Sequence, residues 1–133
     1  MSLYLLDTAI VSDLIRRPQG RVAARIAEVG QRNVATSIVV AAEIRFGAEK
    51  KGSPTLTAQV EAVLGALPIL PLEHPSDEIY ARLRHVLERR GTPIGANDML
   101  IAAHALALGR VLVSDNRREF ERVDGLKLVN WLD

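Results

Sequence analysis

The chain contains no cysteine and only five aromatic residues among its 133. The first absence removes a disulfide framework, a thiolate metal site and a cysteine nucleophile together. The second leaves a core to be built from Ala, Val, Leu and Ile, which suits helices packed on a parallel sheet. No apolar run reaches the length of a bilayer span, and Met1 to Asp7 carries no signal-peptide pattern. A cytoplasmic protein that does not meet a membrane is the expectation. Charge of one sign is also lacking: the net charge is +1, so the whole molecule is no electrostatic magnet for nucleic acid. There is no repeat, low-complexity tract or linker, and residues 1–133 read as a single domain large enough for a full core.

What is present is a regular alternation of short apolar strands and helices. Leu3 to Leu6 reads as the first strand, with Asp7 at its carboxyl end and Thr8 placed to cap a helix striped by Ile10, Val11, Leu14 and Ile15. Pro18 and Gly20 end that helix, and a second runs from Arg21 to Val29. Val34 to Thr36 is the second strand, followed by a helix over 38–50 that carries Glu43. A further helix starts near Gly52-Ser53-Pro54, Ile69 to Leu72 forms the third strand, and Pro75-Ser76-Asp77-Glu78 opens the next helix. The spacing predicts another helix from about Asp98 to Leu108, capped by Asn97 and closed by Gly109, then a buried strand at Arg110 to Val113. Leu126 to Trp131 supplies a last strand after the Asp124-Gly125 turn. Such alternation gives an α/β fold with a parallel sheet covered on both faces by right-handed crossovers. Ligands in such sheets sit outside the carboxyl ends of the strands, where the strand order reverses.

Four carboxylates point to that edge. Asp7 ends the first strand, Asp115 follows the fourth, Asp98 opens the helix feeding the fourth, and Glu43 lies two turns into the helix after the second. Alone, each has a bland explanation as a cap or a solvated loop acid. Together they would repel one another unless a cation joins them. Hard oxygen donors without His or Cys select Mg²⁺ or Mn²⁺ over zinc, and such ions polarise phosphoryl oxygens and activate water. Fourteen of the seventeen basic residues are Arg, and eleven of these gather in three groups, Arg16-Arg17-Arg21-Arg25, Arg82-Arg84-Arg89-Arg90 and Arg117-Arg118-Arg122. Arg suits phosphate, though it is also a common surface helix former. The histidines His74, His85 and His104 form no ligand pair, and Ser12, Ser37 and Ser114 show no His–Asp partners, which argues against a hydrolase triad.

L-L-D-T near the start, A-A-E-I-R-F-G-A-E-K, P-I-G-A-N-D-M-L-I-A-A-H-A-L-A-L-G and V-S-D-N-R-R-E-F-E-R-V resemble the PIN-domain toxins of the VapC family across essentially the whole chain. The resemblance implies a PIN-like three-layer α/β/α sandwich around a five-stranded parallel sheet. It also implies a Mg²⁺-dependent endoribonuclease, a VapB-type antitoxin as partner, and a homodimer, for which Val39 and Val40 are candidate contacts. By position, Asp7, Glu43 and Asp98 match the family's acidic triad. Enteric-type members, to which the chain is most similar, cut initiator tRNA in the anticodon stem-loop, so tRNA is the implied substrate class. Two departures stand out: Ala9 replaces the Asn of a D-T-N pattern, and Ser114-Asp115-Asn116 stands where T-N-N is common. Asp115, Asn116 and Glu119 all remain candidates to complete the acidic set, and strand-end geometry favours Asp115.

Three other functions compete. A phosphatase with Asp7 as nucleophile would want a second acid two residues on, where Ala9 stands. A PIN domain that binds nucleic acid with weak or no nuclease activity would keep its binding when metal is removed. A purely structural domain with scattered acids leaves the motif match unexplained.

Overall fold

A computed structural model describes residues 2–133. Five strands form one sheet: β1 (Tyr4–Leu6), β2 (Val34–Ser37), β3 (Ile69–Leu70), β4 (Val111–Val113) and β5 (Leu128–Val129). Their order is β3-β2-β1-β4-β5, and every pairing is parallel. The helices are α1 (Thr8–Arg16), α2 (Arg21–Val29), α3 (Ile38–Lys51), α4 (Pro54–Ala66), α5 (Ser76–Arg90), α6 (Ala96–Leu108) and α7 (Arg117–Phe120), with a single 3-10 turn at Gln31–Asn33. None is long and apolar enough to cross a membrane among the described residues.

The strands are buried on both faces, as a parallel sheet under helices requires: Leu5, Leu6, Leu112 and Val113 are inaccessible to solvent, and Val34 and Ala35 nearly so. Below the sheet edges, α1, α3 and α4 pack on one another, and α5 packs along α6. The chain steps outward from β1 to β2 and β3, then returns to the other side of β1 to lay down β4 and β5. The order therefore reverses between β1 and β4. The splayed crevice belongs at their carboxyl ends.

Several boundaries differ from the sequence reading for identifiable reasons. Asn97 does not cap α6; Gly95 does, and Asn97 is the second residue inside the helix. Asp7, in an extended conformation, takes the N-cap position of α1, which makes Thr8 the first helical residue. The third strand stops at Leu70 because Pro71 has no N–H for the ladder. The last strand is cut to Leu128–Val129 because Asn130 Oδ1 accepts the Leu132 N–H and turns the chain. That turn buries Trp131 against Tyr4, with ring centroids 5.2 Å apart. Gly109 closes α6 as expected, at a φ of +65° that favours glycine. The short helix α7 has no counterpart in the expected elements, and its Phe120 is a fully buried anchor.

Candidate active site

The structure brings Asp7, Glu43, Asp98 and Asp115 to the β1/β4 crevice, and Glu119 joins them. Asp7 leaves β1 with its N–H bonded to the Val113 carbonyl at 2.9 Å, and its own carbonyl starts α1. Its side chain is only 5% exposed. Oδ2 accepts a 2.6 Å hydrogen bond from Ser114 Oγ, on the strand next door, while Oδ1 is buried without a partner. Burial pushes the Asp7 carboxyl above its ordinary value, and the Glu43 and Asp115 charges add to this, against hydrogen bonds from Ser114 and Thr8.

Glu43 reaches the same place from α3. Thr8 Oγ1 donates to its Oε1 at 2.5 Å, and Asn97 Nδ2 points at Oε2 from 3.4 Å. The displaced cap has a consequence here, because inside the first turn the Asn97 amide is free to address Glu43. Asp98, half-buried in the same turn, lies beside the Glu119 carboxyl. Its carboxyl is pushed up to about 7, first by burial, then by Glu119 and by the charges of Asp7 and Glu43.

The fourth acid of the sequence reading, Asp115, is exposed at the end of β4, and its charge acts on Asp7. Glu119 is turned back by α7 and steadied by Asn116 Nδ2 at 3.3 Å from Oε2. Ser114 Oγ, which holds Asp7, also accepts the Asn116 N–H at 3.0 Å. Asn116 was a candidate from sequence, whereas Ser114, Thr8 and Asn97 were not singled out as site residues. The only local signal was their place beside an acid.

One sequence inference needs correction. Ser37 does have a histidine partner, since His104 Nδ1 lies 2.8 Å from its Oγ. No triad results, because the hydroxyl is fully buried and no carboxylate meets His104 Nε2.

Could the acids hold a divalent cation? A buried carboxylate oxygen without a donor and a carboxyl held up near neutrality both mark negative charge in want of a counter-charge. The donors are oxygens alone, which fits Mg²⁺ or Mn²⁺. Among the described residues no three acids form a ready ligand cage. That suits an ion that keeps several waters and binds through one or two carboxylates.

The PIN domain family profile matches residues 4–126. Ribonuclease VapC2 of Haemophilus influenzae is 38% identical over 133 residues, spanning 99% of this chain and all of that protein. The chain belongs to the VapC family. As a VapC protein it is a PIN-domain endoribonuclease of the toxin–antitoxin class. The tRNA(fMet)-specific endonuclease VapC of Shigella flexneri is 33% identical, covering 98% of this chain and 99% of that one. In three dimensions, DNA-bound VapBC from Salmonella typhimurium superposes with a TM-score of 0.91 at 31% identity, over 98% of this chain and 99% of that one. VapC nucleases with a PIN domain depend on divalent metal, and the oxygen-only crevice fits that requirement.

Proposed function

We propose that this VapC protein cuts tRNA, with the anticodon stem-loop of initiator tRNA as its target, in a reaction that needs Mg²⁺ and accepts Mn²⁺. The observation that carries the metal requirement is the buried, unpartnered Asp7 Oδ1 facing a cluster whose Asp98 is held near neutrality. Asp7 and Asp98 would hold the ion, with Glu43 in direct or water-mediated contact, Asp115 completing the set on the Asp7 side and Glu119 standing on the Asp98 side. When bound, the ion supplies a Lewis acid for a phosphoryl oxygen and lowers the pKa of water. The chain's own contribution is placement. Ser114 fixes Asp7, Thr8 and Asn97 fix Glu43, and Asp98 holds a proton that positive charge would displace. In-line attack of water on the phosphodiester forms one P–O bond and breaks another, and the leaving oxygen departs as a hydroxyl. Exposed arginines such as Arg16 and Arg118 are available to position the RNA backbone without reading its sequence.

Support for the tRNA target comes from the Shigella and Salmonella relatives named as tRNA(fMet)-specific endonucleases. Support for a VapB-type antitoxin comes from related structures solved as VapBC complexes. An Arg of that partner set against Asp7, Glu43 or Asp98 would satisfy the crevice with two hydrogen bonds and exclude substrate. For a homodimer, the face of α3 bearing Ile38, Ala42 and Phe46 is suitable, since Ile38 is 46% and Phe46 67% exposed. Val40 does not serve there: it is wholly buried in the core. A toxin acting on tRNA works in the cytoplasm.

The test incubates the purified chain with total tRNA, with Mg²⁺ or with a chelator, and maps new 5′ ends. One dominant cut in the initiator anticodon stem-loop, lost with the chelator, is expected. Cuts spread over other RNAs would overturn the target, and cleavage that survives the chelator would overturn the metal. RNA binding without any cutting would favour the non-nuclease alternative.

A further inference from the structure

His104 lies far from the acids in the chain's surface logic, yet it joins the two helices that carry them. It sits on α6, the helix that opens with Asn97 and Asp98, and is 1% exposed. Its Nδ1 lies 2.8 Å from Ser37 Oγ, and Ser37 is the N-cap of α3, the helix that carries Glu43. Ser37 Oγ already accepts the Val39 N–H at 3.1 Å.

Each neutral tautomer of His104 leaves one buried donor without a close partner, so the surroundings of the ring decide the direction of this bond. A serine hydroxyl has one proton to give, and its oxygen takes what others offer. If His104 Nδ1 carried a proton, Ser37 Oγ would receive two donors and its own buried proton would face no acceptor. In the other tautomer Ser37 donates to an unprotonated Nδ1, and the ring proton on Nε2 has no close partner but is favoured by the nearby Pro71 carbonyl. A neutral ring is what the surroundings favour: burial lowers its proton affinity, and the positive charge of Arg110 lowers it further, against the Pro71 carbonyl.

We infer that His104 is a positioning residue, which accepts a hydrogen bond from the Ser37 cap and so locks the start of α3 against α6, holding Glu43 and Asp98 at the spacing a divalent ion needs. The inference rests on the reading of this edge as the metal site. Its logic is geometric. Glu43 sits six residues beyond Ser37 and Asp98 six residues before His104, each under two helical turns from the lock. A small rotation of α3 at its cap therefore moves the Glu43 carboxylate relative to Asp98. Other buried ties at this edge join neighbouring strands, such as Thr36 Oγ1 to the Leu6 carbonyl at 2.8 Å, and do not fix one helix against the other.

Two measurements on the full chain test this. In the metal-free protein, nitrogen-15 NMR of the imidazole should show Nδ1 unprotonated and Nε2 protonated, with the Nδ1 signal moving in Ser37→Ala. A proton on Nδ1, or a signal indifferent to Ser37→Ala, overturns the lock. The second measurement is Mn²⁺ affinity by calorimetry, compared with thermal melting. His104→Leu, which fills the space without an acceptor, should weaken Mn²⁺ binding about tenfold, the lower end of what a lost supporting bond costs a metal site. His104→Asn, which returns an acceptor oxygen close to Nδ1, should bind within roughly threefold of wild type even if its melting temperature falls. A folded His104→Leu protein with wild-type affinity overturns the proposal. So does affinity that follows melting temperature alone across the variants. If His104→Leu does not fold, Ser37→Ala takes its place, with the same expected loss and the same overturning result. Should the wild type bind no Mn²⁺, the metal-site reading fails, and the NMR measurement still decides whether the lock exists.

Discussion

On the Asp7–Glu43 side of the crevice, every carboxylate oxygen but one meets a neutral donor, whereas on the Asp98–Glu119 side a carboxyl meets a carboxyl. The first side is organised by Ser114, Thr8 and Asn97, which hold two acids in place whatever else is bound. The second is marked by the raised proton affinity of Asp98, and a proton can be displaced by a cation. One half of the crevice is thus fixed and the other responds to charge. A site that binds metal only when needed gains from both, since the fixed acids set the geometry and the responsive pair supplies charge on demand.

The sharpest way to break this contrast is to remove charge from the responsive half while keeping its shape. Asp98→Asn should cut RNA cleavage by about a thousandfold, because metal Lewis acidity is worth several kcal/mol and each ~1.4 kcal/mol is a factor of ten. The same variant should melt no lower than wild type without metal, since it relieves repulsion. Near-wild-type cleavage by folded Asp98→Asn would remove this residue from the site.

On the fixed half, Ser114→Ala leaves both oxygens of a buried Asp7 without a side-chain donor. A loss of roughly 1–3 kcal/mol of stability is expected from an unsatisfied buried group. Urea unfolding of the metal-free protein reads it, and an unchanged midpoint would show that Ser114 does not hold Asp7 in solution.

The pH dependence of stability separates the halves next. Asp98 is raised from 3.8 to about 7, so between those values the folded chain keeps a proton that the unfolded chain has released. Stability of the metal-free protein should therefore fall as pH rises from about 4 to 7, then level off. Asp7, also raised, adds to the fall. Asp98→Asn should flatten much of it, and added Mg²⁺ should oppose it by binding the folded state. A wild-type melting temperature that climbs steadily across this window would contradict the raised Asp98 carboxyl.

The smallest effect distinguishes Glu119 from Asp115. Glu119 stands beside the half-buried Asp98 and raises its pKa, while Asp115 acts on Asp7 from an exposed position. Glu119→Ala should raise the Mg²⁺ concentration for half-maximal cleavage several-fold, in line with lost outer support of a metal site, and Asp115→Ala should raise it less. The reverse order would return the weight to the strand-end geometry that favours Asp115.

What could be read in the sequence is what local pattern encodes. The apolar runs located the strands, and with them the edge where Asp7 and Asp98 stand. The helical reading put Glu43 about two turns into the helix after the second strand, and the motif resemblance matched it to the acidic triad. The bonds that hold those acids were illegible because they join residues 35 and 107 positions apart, Thr8 to Glu43 and Asp7 to Ser114. Nothing in the local chemistry of Ser114 or Thr8 separates them from an ordinary strand end or helix start. Asn97 was misread for a related reason. A cap preference named the residue type, and the Gly95 backbone took the position instead. Glu119 depended on α7, a four-residue helix whose sole strong signal is the burial of Phe120.

The sheet's two outermost strands, β3 and β5, are only two residues long, and β3 is bracketed by Pro68 and Pro71. A sheet margin is a template on which another chain can add itself, and its hazard grows with the length of unpaired backbone on offer. Here that offer is a handful of peptide groups interrupted by residues that cannot donate. The central strands can then be as apolar as the core demands without inviting polymerisation. A chain built in this way gives a second copy of itself little backbone on which to add a strand.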